Sequence, residues 1–328
     1  MARNLVTGGA GFVGKALVAQ LRANGESVCS FDLAAPNHPD DIQASILDGD
    51  DLRHALKRTD TVFHLAGNAQ LWARDRAVFD TVNRMGTQIT LDAARSAGVS
   101  RFVHCSSLTT LVSRMAPIGP SNADESIELE PEDTLGLYPQ SKREAELIVE
   151  AAAQDGFHAV TVLPTEPLGA GDTALTPPTQ MILDFANQQT PAYINCILNF
   201  VPVASLVDGF IAARDKGASG ERYLLGGADM PMKELLTEIG AITERKMPNL
   251  KLPYWVALAA GAVDTKLVSS LTGDAPKAPL TGVRLAGRRV SFSSAKAAKA
   301  LDWRAGPVKP ALQEMLEWAG AQGLLKPN

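Results

Sequence analysis

A tyrosine and a lysine four positions apart carry the clearest chemical signal in the chain. Tyr138 and Lys142 lie at the start of a predicted helix, in the segment YPQSK, so their side chains share one helix face. An ammonium group close to a phenol lowers the pKa of the phenol, which lets it exchange a proton near neutral pH. The pair therefore predicts proton transfer to or from a substrate oxygen, with Tyr138 as the general acid or base.

Two adjacent serines supply a candidate partner for this tyrosine. Ser106 and Ser107 follow a predicted strand, and Ser107 lies 31 residues before Tyr138. A hydroxyl group at the end of that strand could meet the same substrate oxygen as the phenol. A tyrosine and a lysine also occur at this spacing by chance, and a serine can simply end a strand. The chemical interpretation therefore depends on all three residue types occurring together.

The first turn of the chain has the glycine spacing of a dinucleotide-binding loop. Gly8, Gly11 and Gly14 lie between a predicted strand, residues 5–7, and a predicted helix, residues 12–23. The first glycine permits a tight turn, the second lets the backbone approach a pyrophosphate, and the third allows close helix–strand packing. The helix N-terminus offers free N–H groups to the phosphates. The loop predicts a bound dinucleotide, and a glycine-rich turn without a ligand is the alternative.

An acidic residue after the second predicted strand indicates which dinucleotide is bound. Asp32 follows residues 27–31 and lies 18 positions after Gly14. A carboxylate there accepts hydrogen bonds from the adenosine ribose hydroxyls and repels a 2′-phosphate. The next three residues contain no arginine that could compensate. The sequence therefore favours NAD(H) over NADP(H), with a simple turn-forming aspartate as the alternative.

The order of the predicted elements gives the fold class. Short β-branched runs alternate with helical patterns in the first half, which is typical of a parallel sheet covered by helices on both faces. We expect an α/β fold: a Rossmann doubly wound parallel sheet with a smaller, discontinuous, mostly helical substrate domain. The first domain is predicted to cover residues 1–165, with 196–225 returning to it, and the substrate domain to cover 166–195 and 226–328. Further strands are predicted at 61–65, 101–105 and 159–163, and helices at 79–97 and 137–154.

Composition excludes several function classes. The chain has 328 residues and a formal net charge of −5, which argues against nucleic-acid binding. Its three cysteines have no spacing suited to zinc, so no metal is expected. No apolar core of a signal peptide follows Met1, and we expect a cytoplasmic protein. The longest apolar stretch, residues 254–263, is too short to span a bilayer. We expect the apolar helix predicted at about 253–271 to cap the substrate pocket rather than to bind a membrane.

Together these residues resemble one family, the extended short-chain dehydrogenase/reductases of the NAD-dependent epimerase/dehydratase group. The second half is most similar to hopanoid-associated sugar epimerases, dihydroflavonol-reductase-like enzymes and 3β-hydroxysteroid-dehydrogenase-like enzymes. Besides Asp32, the matching segments of the first half are TGGAGFVG (7–14), HLAG (64–67), NRMGT (83–87), CSSL (105–108) and YPQSK (138–142). Those of the second half are LPTEPLGAGD (163–172), PAYINCILNFV (191–201), RYLLGG (222–227) and FSSAKAAKALDW (292–303).

The resemblance implies a role for each matching residue. Tyr138 would be the general acid or base, Lys142 would hydrogen-bond the nicotinamide ribose, and Ser107 would orient the substrate oxygen. Asn83 would support a proton relay or the backbone near the cofactor, with a helix-surface position as the alternative. The implied cofactor contacts are Gly8, Gly11, Phe12, Val13, Gly14, Asp32, Ser45, Ile46, Leu65, Ala66, Gly67, Asn83, Ser106, Tyr138, Lys142 and Pro164. The resemblance also implies a homodimer formed by the helices that follow Asn83 and contain Tyr138.

Departures from the family pattern bear on the substrate. Ser45 and Ile46 stand in the segment where many relatives carry an adenine-contacting aspartate, and Leu163 replaces an arginine before Pro164. From residue 164 to residue 213 there is no Lys or Arg to meet the diphosphate of a nucleotide sugar. Apolar residues expected to face the substrate, or else to form ordinary core, are Leu175, Met181, Ile182, Phe185, Tyr193, Ile197 and Phe200.

We therefore predict a small-molecule oxidoreductase that interconverts a secondary alcohol and a carbonyl on a largely apolar skeleton by hydride transfer. An NAD-dependent (nucleotide-)sugar epimerase is the first alternative, because epimerisation uses the same chemistry twice around a turned intermediate. A binding protein that senses NAD(H) without catalysis is the second alternative, and the intact Ser107, Tyr138 and Lys142 argue against it.

Overall fold

The computed structural model describes residues 3–327, without the side chains of 267, 268 and 270. In chain order its strands are β1 (Arg3–Thr7), β2 (Ser27–Asp32), β3 (Ile42–Gln43), β4 (Thr61–His64), β5 (Arg101–Cys105), β6 (Ser121–Ala123), β7 (Ala159–Pro164), β8 (Glu166–Leu168), β9 (Ala192–Ile194), β10 (Ile197–Pro202), β11 (Arg222–Leu225), β12 (Ala228–Pro231), β13 (Leu250–Leu252) and β14 (Val290–Phe292).

The helices fill the connections between these strands. The α-helices are α1 (Phe12–Ala23), α2 (Gly49–Ala55), α3 (Gly86–Ser96), α4 (Leu137–Gln154), α5 (Pro177–Ala186), α6 (Val203–Lys216), α7 (Met232–Thr243), α8 (Tyr254–Val263), α9 (Ser269–Thr272), α10 (Leu280–Arg288), α11 (Ala295–Ala300) and α12 (Val308–Ala321). Segments Phe79–Met85 and Asp264–Val268 are π-helical, and Leu108–Leu111 and Pro131–Asp133 are short 3₁₀ helices.

A parallel sheet organises the first half of the molecule. Within the described residues its seven strands run in the order β11-β7-β5-β4-β1-β2-β3, and all neighbouring pairs are parallel. One face packs on α1 and α6 and the other on α2, α3 and α4. The central strands are buried on both faces, which is why they are rich in apolar and β-branched residues. This architecture confirms the predicted Rossmann-type α/β fold.

A second, smaller layer follows the sheet in sequence. Strands β8, β10 and β12 form a three-stranded sheet, and they pack with α5, α7 and α12 around their own apolar cluster. Within residues 196–225, β11 joins the large sheet whereas β10 lies in this small one. Ile182, Phe185 and Phe200 are buried inside the cluster, so these three belong to the core rather than to a substrate surface. The domain division itself stays a prediction.

The helix predicted over 79–97 is in fact two segments. A π-helical stretch, Phe79–Met85, leads into α3. At the junction, a Cβ built on Gly86 would overlap the end of the Ile46 side chain, which packs closely against this glycine. The wider π-helical turn is a feature often found at functional sites. Here it carries Asn83, which is buried and faces the carboxyl ends of the central strands.

The described helices include none with both the length and the apolar character needed to cross a membrane.

Two buried histidines make stability depend on pH. His64 hydrogen-bonds with Thr7 and Thr87, and its ring stacks on that of His104 at 5.7 Å. Among the described residues neither ring nitrogen of His104 has a partner. Burial, helped by the charge of Lys142, lowers the pKa of His64 to about 3 and that of His104 well below its ordinary value.

These shifts predict a loss of stability in acid. Below the ordinary histidine pKa the unfolded chain binds protons that the folded chain excludes, so the free energy of unfolding falls as pH falls. We expect a slope of up to about 1.4 kcal/mol per pH unit for each of the two histidines. Urea titrations between about pH 7 and 4 should show this contribution, and His104→Leu should lower the measured slope by up to about 1.4 kcal/mol per pH unit. The exposed His38→Leu control should leave it intact, and an unchanged slope in His104→Leu would contradict the account.

Candidate active site

The glycine loop adopts the geometry that its spacing predicts. Gly8 has a φ of +70°, and a Cβ on it would lie 2.7 Å from the backbone nitrogen of Ala66. A Cβ on Gly14 would overlap the carbonyl oxygen of Gly8, so only glycine lets α1 begin this close to β1. Gly11 precedes the helix, and no side chain caps its N-terminus. The first-turn N–H groups of α1 are therefore available to an anion.

Asp32 lies beside this loop at the end of β2. Its Oδ2 accepts a hydrogen bond from Ala10 N at 3.0 Å, and its Oδ1 accepts one from Ala34 N at 3.0 Å. The carboxylate thus links β2 to the glycine loop, and the lone pairs that remain can accept from hydroxyl groups. An uncapped helix start next to a carboxylate fits the pyrophosphate and ribose of a dinucleotide. Asp32 therefore has a structural role in this turn, and its contact with the adenosine ribose stays a prediction.

Tyr138 and Ser107 meet at the carboxyl end of β5. The phenol of Tyr138 is only 9% exposed, and it hydrogen-bonds with the Ser107 side chain. Ser107 also accepts from the Thr109 hydroxyl at 3.0 Å and from the Thr109 backbone at 3.2 Å. Burial raises the pKa of Tyr138 to about 12, although the hydrogen bond from Ser107 opposes the shift. Tyr138 is therefore protonated at neutral pH.

Lys142 lies one helical turn further along α4. Its ammonium group is buried and donates to the carbonyl oxygen of Cys105 at 2.6 Å. Burial lowers the pKa of Lys142. The predicted lowering of the Tyr138 pKa by this ammonium is absent, because burial is the dominant influence on the phenol. The structure thus places the Lys142 ammonium group against the end of β5, with Tyr138 four residues earlier on the same helix.

Asn83 fixes the loop that faces Lys142. Its Oδ1 accepts from Asn68 N at 2.7 Å, and its Nδ2 donates to Asn68 O at 3.1 Å and to Ser141 Oγ at 3.0 Å. A Cβ on Gly67 would lie 3.1 Å from Asn83 Oδ1 and 3.7 Å from Lys142 Nζ. Asn83 is buried, so it is not a helix-surface residue. It ties the end of β4 to α4 and in this way positions Lys142.

Several of the remaining residues predicted to contact the cofactor lie at the same edge of the sheet. Phe12 and Val13 open α1, Leu65 and Ala66 follow β4, and Pro164 ends β7. Ser45 accepts from Leu47 N at 3.1 Å. Ile46 is 7% exposed and packs against Gly86 in the core below this edge. The Ser106 hydroxyl is directed away from this edge, because it donates to the carboxylate of Glu146. The contacts of all these predicted residues with a cofactor stay predictions.

A buried ionic cluster behind the serines was missed by the sequence reasoning. Glu146 is fully buried and accepts from the hydroxyls of Ser106 and Thr110, the latter at 2.7 Å. Arg143 Nη1 lies 3.0 Å and Arg222 Nη2 lies 3.2 Å from its Oε2. Glu146 follows Lys142 by four positions on α4, and this spacing was the only sequence signal for its place behind the site. The cluster holds β5, α4 and β11 together under the Ser107 turn.

Two segments lie over the open side of the site. A Cβ on Gly136, just before α4, would lie 2.9 Å from the Thr281 hydroxyl of α10. A Cβ on Gly282 would lie 3.1 Å from the Leu71 side chain, in the loop that Asn68 begins. The start of α10 and this loop therefore flank the helix end that carries Tyr138.

The glycine loop gives a direct prediction about cofactor binding. Gly14→Ala should lower the affinity for NADH at least about tenfold, because the added Cβ would displace the Gly8 carbonyl and α1 from each other. Fluorescence titration with NADH measures the change. Gly320→Ala in α12 is the control, since a Cβ there meets only Leu325, at 3.9 Å. Equal affinities of Gly14→Ala and wild type would contradict the assignment.

Comparisons with known proteins agree with this geometry. The model of the NAD dependent epimerase/dehydratase family matches residues 4–226. A putative dihydroflavonol 4-reductase of Synechocystis sp. is 33% identical, over 98% of this chain and 95% of that protein. A 4-hydroxy-2-methyl-3-oxo-4-farnesyl-3,4-dihydroquinoline-1-oxide ketoreductase of Stigmatella aurantiaca is 28% identical, over 98% of this chain and 97% of that protein. The crystal structure of gox2253 superposes with a TM-score of 0.85 and 30% identity, over 99% of this chain and all of that one.

The chain belongs to the NAD dependent epimerase/dehydratase family. It is an NAD-dependent enzyme of the extended short-chain dehydrogenase/reductase type, as its motifs predict.

Proposed function

We propose that the protein interconverts a secondary alcohol and a carbonyl on a largely apolar small molecule by NAD(H)-dependent hydride transfer. The observation that carries the proposal is the buried group formed by Ser107, Tyr138 and Lys142 at the carboxyl end of β5. This edge of the sheet also bears the glycine loop and Asp32, which fit a dinucleotide. Ligands of doubly wound sheets bind at this edge.

The side chains divide the work of carbonyl reduction. When bound, NADH supplies the hydride to the carbonyl carbon. Tyr138, protonated because burial raises its pKa to about 12, donates its proton to the carbonyl oxygen. Ser107 donates a second hydrogen bond to that oxygen and orients it. Lys142, anchored to the Cys105 carbonyl, holds positive charge next to the phenol and would bind the nicotinamide ribose. In the reverse direction the phenolate form of Tyr138 accepts the alcohol proton.

Three observations support an apolar substrate. No Lys or Arg occurs from residue 164 to residue 213 to meet a diphosphate. The loop over the site carries Leu71 and Trp72, both partly exposed. The two full-length relatives described above are named for reductions of a dihydroflavonol and of a farnesyl-bearing ketone. Leu175, Met181 and Tyr193 remain candidates for the substrate surface, since they are only partly buried.

Epimerisation of a sugar is the second candidate, because the matching family also contains epimerases by its description. A panel of ketones, aldehydes and secondary alcohols should be assayed with NAD(H) and with NADP(H). We expect substrate-dependent oxidation of NADH with bulky apolar ketones and weaker turnover with NADPH. Product formed without any net change in reduced nicotinamide would identify an epimerase. Cofactor binding without turnover of any compound would favour an NAD(H)-sensing protein.

We further propose a cytoplasmic homodimer paired through α3 and α4. Exposed apolar side chains support this pairing: Met85 just before α3 is 41% exposed, and Leu147 on α4 is 37% exposed. Analytical ultracentrifugation of the wild type and of Leu147→Glu tests it, and a monomeric wild type would exclude it.

A further inference from the structure

The helix α8 is apolar on every side but buried on only one. Ala257 and Gly261 are buried, and a Cβ on Gly261 would lie 3.1 Å from the Val283 side chain of α10. On the opposite side Trp255 is 71% exposed and Val263 is 55% exposed. A helix that is hydrophobic all round is normally covered all round. Exposed apolar surface of this kind marks a site of interaction.

The exposed residues form one continuous stripe. Trp255, Ala259 and Val263 follow each other at intervals of four and are all exposed, so they lie along one line of α8. Lys251 precedes this stripe and Lys266 follows it, and both are exposed. The stripe is therefore apolar and includes one tryptophan, and a cation lies near each of its two ends. This arrangement is typical of helices that lie in a membrane interface.

Charge is strongly segregated along the sequence, and α8 lies in a basic segment. Residues 245–289 contain eight Lys or Arg and two Asp, a net charge of +6, whereas the rest of the chain contains 23 Lys or Arg and 34 Asp or Glu, a net charge of −11. One of the two acids, Asp264, is directed into the protein, where it accepts from Ala278 N at 2.9 Å. The stripe therefore lies in a basic segment of an otherwise acidic chain; of the cations in this segment, Lys246, Lys251, Lys266, Lys277 and Arg284 are exposed, whereas Arg288 is buried.

We propose, contrary to the expectation from the sequence, that the exposed stripe of α8 docks on the surface of an anionic lipid bilayer. Basic residues close to a negatively charged membrane each favour binding, and the apolar side chains insert at the level of the headgroups. A second copy of the chain fits this surface poorly, because a two-fold interface would bring two equally basic patches together. The docking does not depend on the reaction proposed above.

The surface lies close to the proposed active site. One side of α8 packs on α10, and α10 contacts the start of α4 through Gly136 and Thr281. A bilayer against α8 is thus separated by the α10 layer from the helix end that carries Tyr138. If the substrate is apolar, as the proposed function holds, this position lets it enter from the bilayer without crossing water.

Flotation of the full-length protein with lipid vesicles tests the docking. We expect binding to vesicles of equimolar phosphatidylcholine and phosphatidylglycerol, and weak binding to phosphatidylcholine alone or at high salt. The double variant Trp255→Ser, Val263→Ser should lower binding at least about tenfold. Lys251→Ser should lower binding to the anionic vesicles by about fivefold. Its binding to vesicles of phosphatidylcholine alone should equal that of the wild type. The control is Leu33→Ser, at 72% exposure on a different part of the molecule, and it should bind like the wild type.

Three results would overturn the proposal. The wild type could fail to bind anionic vesicles, or Leu33→Ser could lose as much binding as the double variant. The third is a wild-type oligomer that dissociates in Trp255→Ser, Val263→Ser without any vesicle binding, which would show that a second copy covers the stripe. NADH oxidation measured in vesicle-free solution is a separate readout, so failure of docking and failure of the proposed reaction are distinguishable.

Discussion

Tyr138→Phe is expected to lower kcat for carbonyl reduction by about 10²–10⁴-fold. The phenylalanine keeps the ring in its buried place but removes the proton that Tyr138 donates and the hydrogen bond with Ser107. NADH affinity should stay within about twofold, because the glycine loop and Asp32 are untouched. Steady-state kinetics together with NADH fluorescence titration separate the two effects.

A matched tyrosine distinguishes loss of chemistry from loss of packing. Tyr223 is also buried, at 2% exposure, and its hydroxyl accepts from Ala218 N at 3.1 Å, away from Ser107 and Lys142. Tyr223→Phe should cost about 1 kcal/mol of unfolding free energy and leave kcat nearly unchanged. If Tyr138→Phe turns over at the wild-type rate, another group supplies the proton and the assignment of Tyr138 is wrong.

Glu146→Ala is expected to give the largest loss of stability, about 3–5 kcal/mol of unfolding free energy. The substitution leaves the buried Arg222 without its carboxylate partner and removes the acceptor for the Ser106 hydroxyl. Breaking a buried ion pair from one side costs more than the pair contributes, because the remaining charge stays desolvated. Urea unfolding monitored by circular dichroism measures the loss.

A neighbouring carboxylate on α4 provides the control. Glu150 also pairs with Arg143, at 2.6 Å, but its side chain is 24% exposed and Arg143 keeps Glu146 when Glu150 is replaced. Glu150→Gln should therefore cost less than about 1 kcal/mol. Similar losses in the two variants would mean that burial of Glu146 is not what makes its pairing important.

Local patterns predicted much of the fold and the outline of the site. Gly8 and Gly14 are recognisable because backbone geometry permits only glycine there, and that requirement is local in sequence. Strands such as β7 are recognisable because they are rich in β-branched and apolar residues. Tyr138 and Lys142 are recognisable because α4 places them one turn apart.

Features that depend on distant parts of the chain could not be predicted in this way. Arg222 meets Glu146 only because β11 pairs with β7 beside α4, a contact between residues far apart in sequence. The pKa of Tyr138 was predicted in the wrong direction, since spacing shows a nearby ammonium but not the degree of burial. Phe200 was a candidate for the substrate surface, and it is core because β10 lies in the small sheet.

Transfer of an isotope from the cofactor tests the central claim most directly. The wild type would be incubated with an apolar ketone from the panel and NADH carrying deuterium at the transferable position of nicotinamide C4, and the product analysed by mass spectrometry. The account predicts one deuterium on the carbinol carbon of each alcohol molecule and an equal loss of NADH, with Tyr138→Phe forming almost none. Turnover of a substrate with no deuterium in the product and no net oxidation of NADH would contradict it.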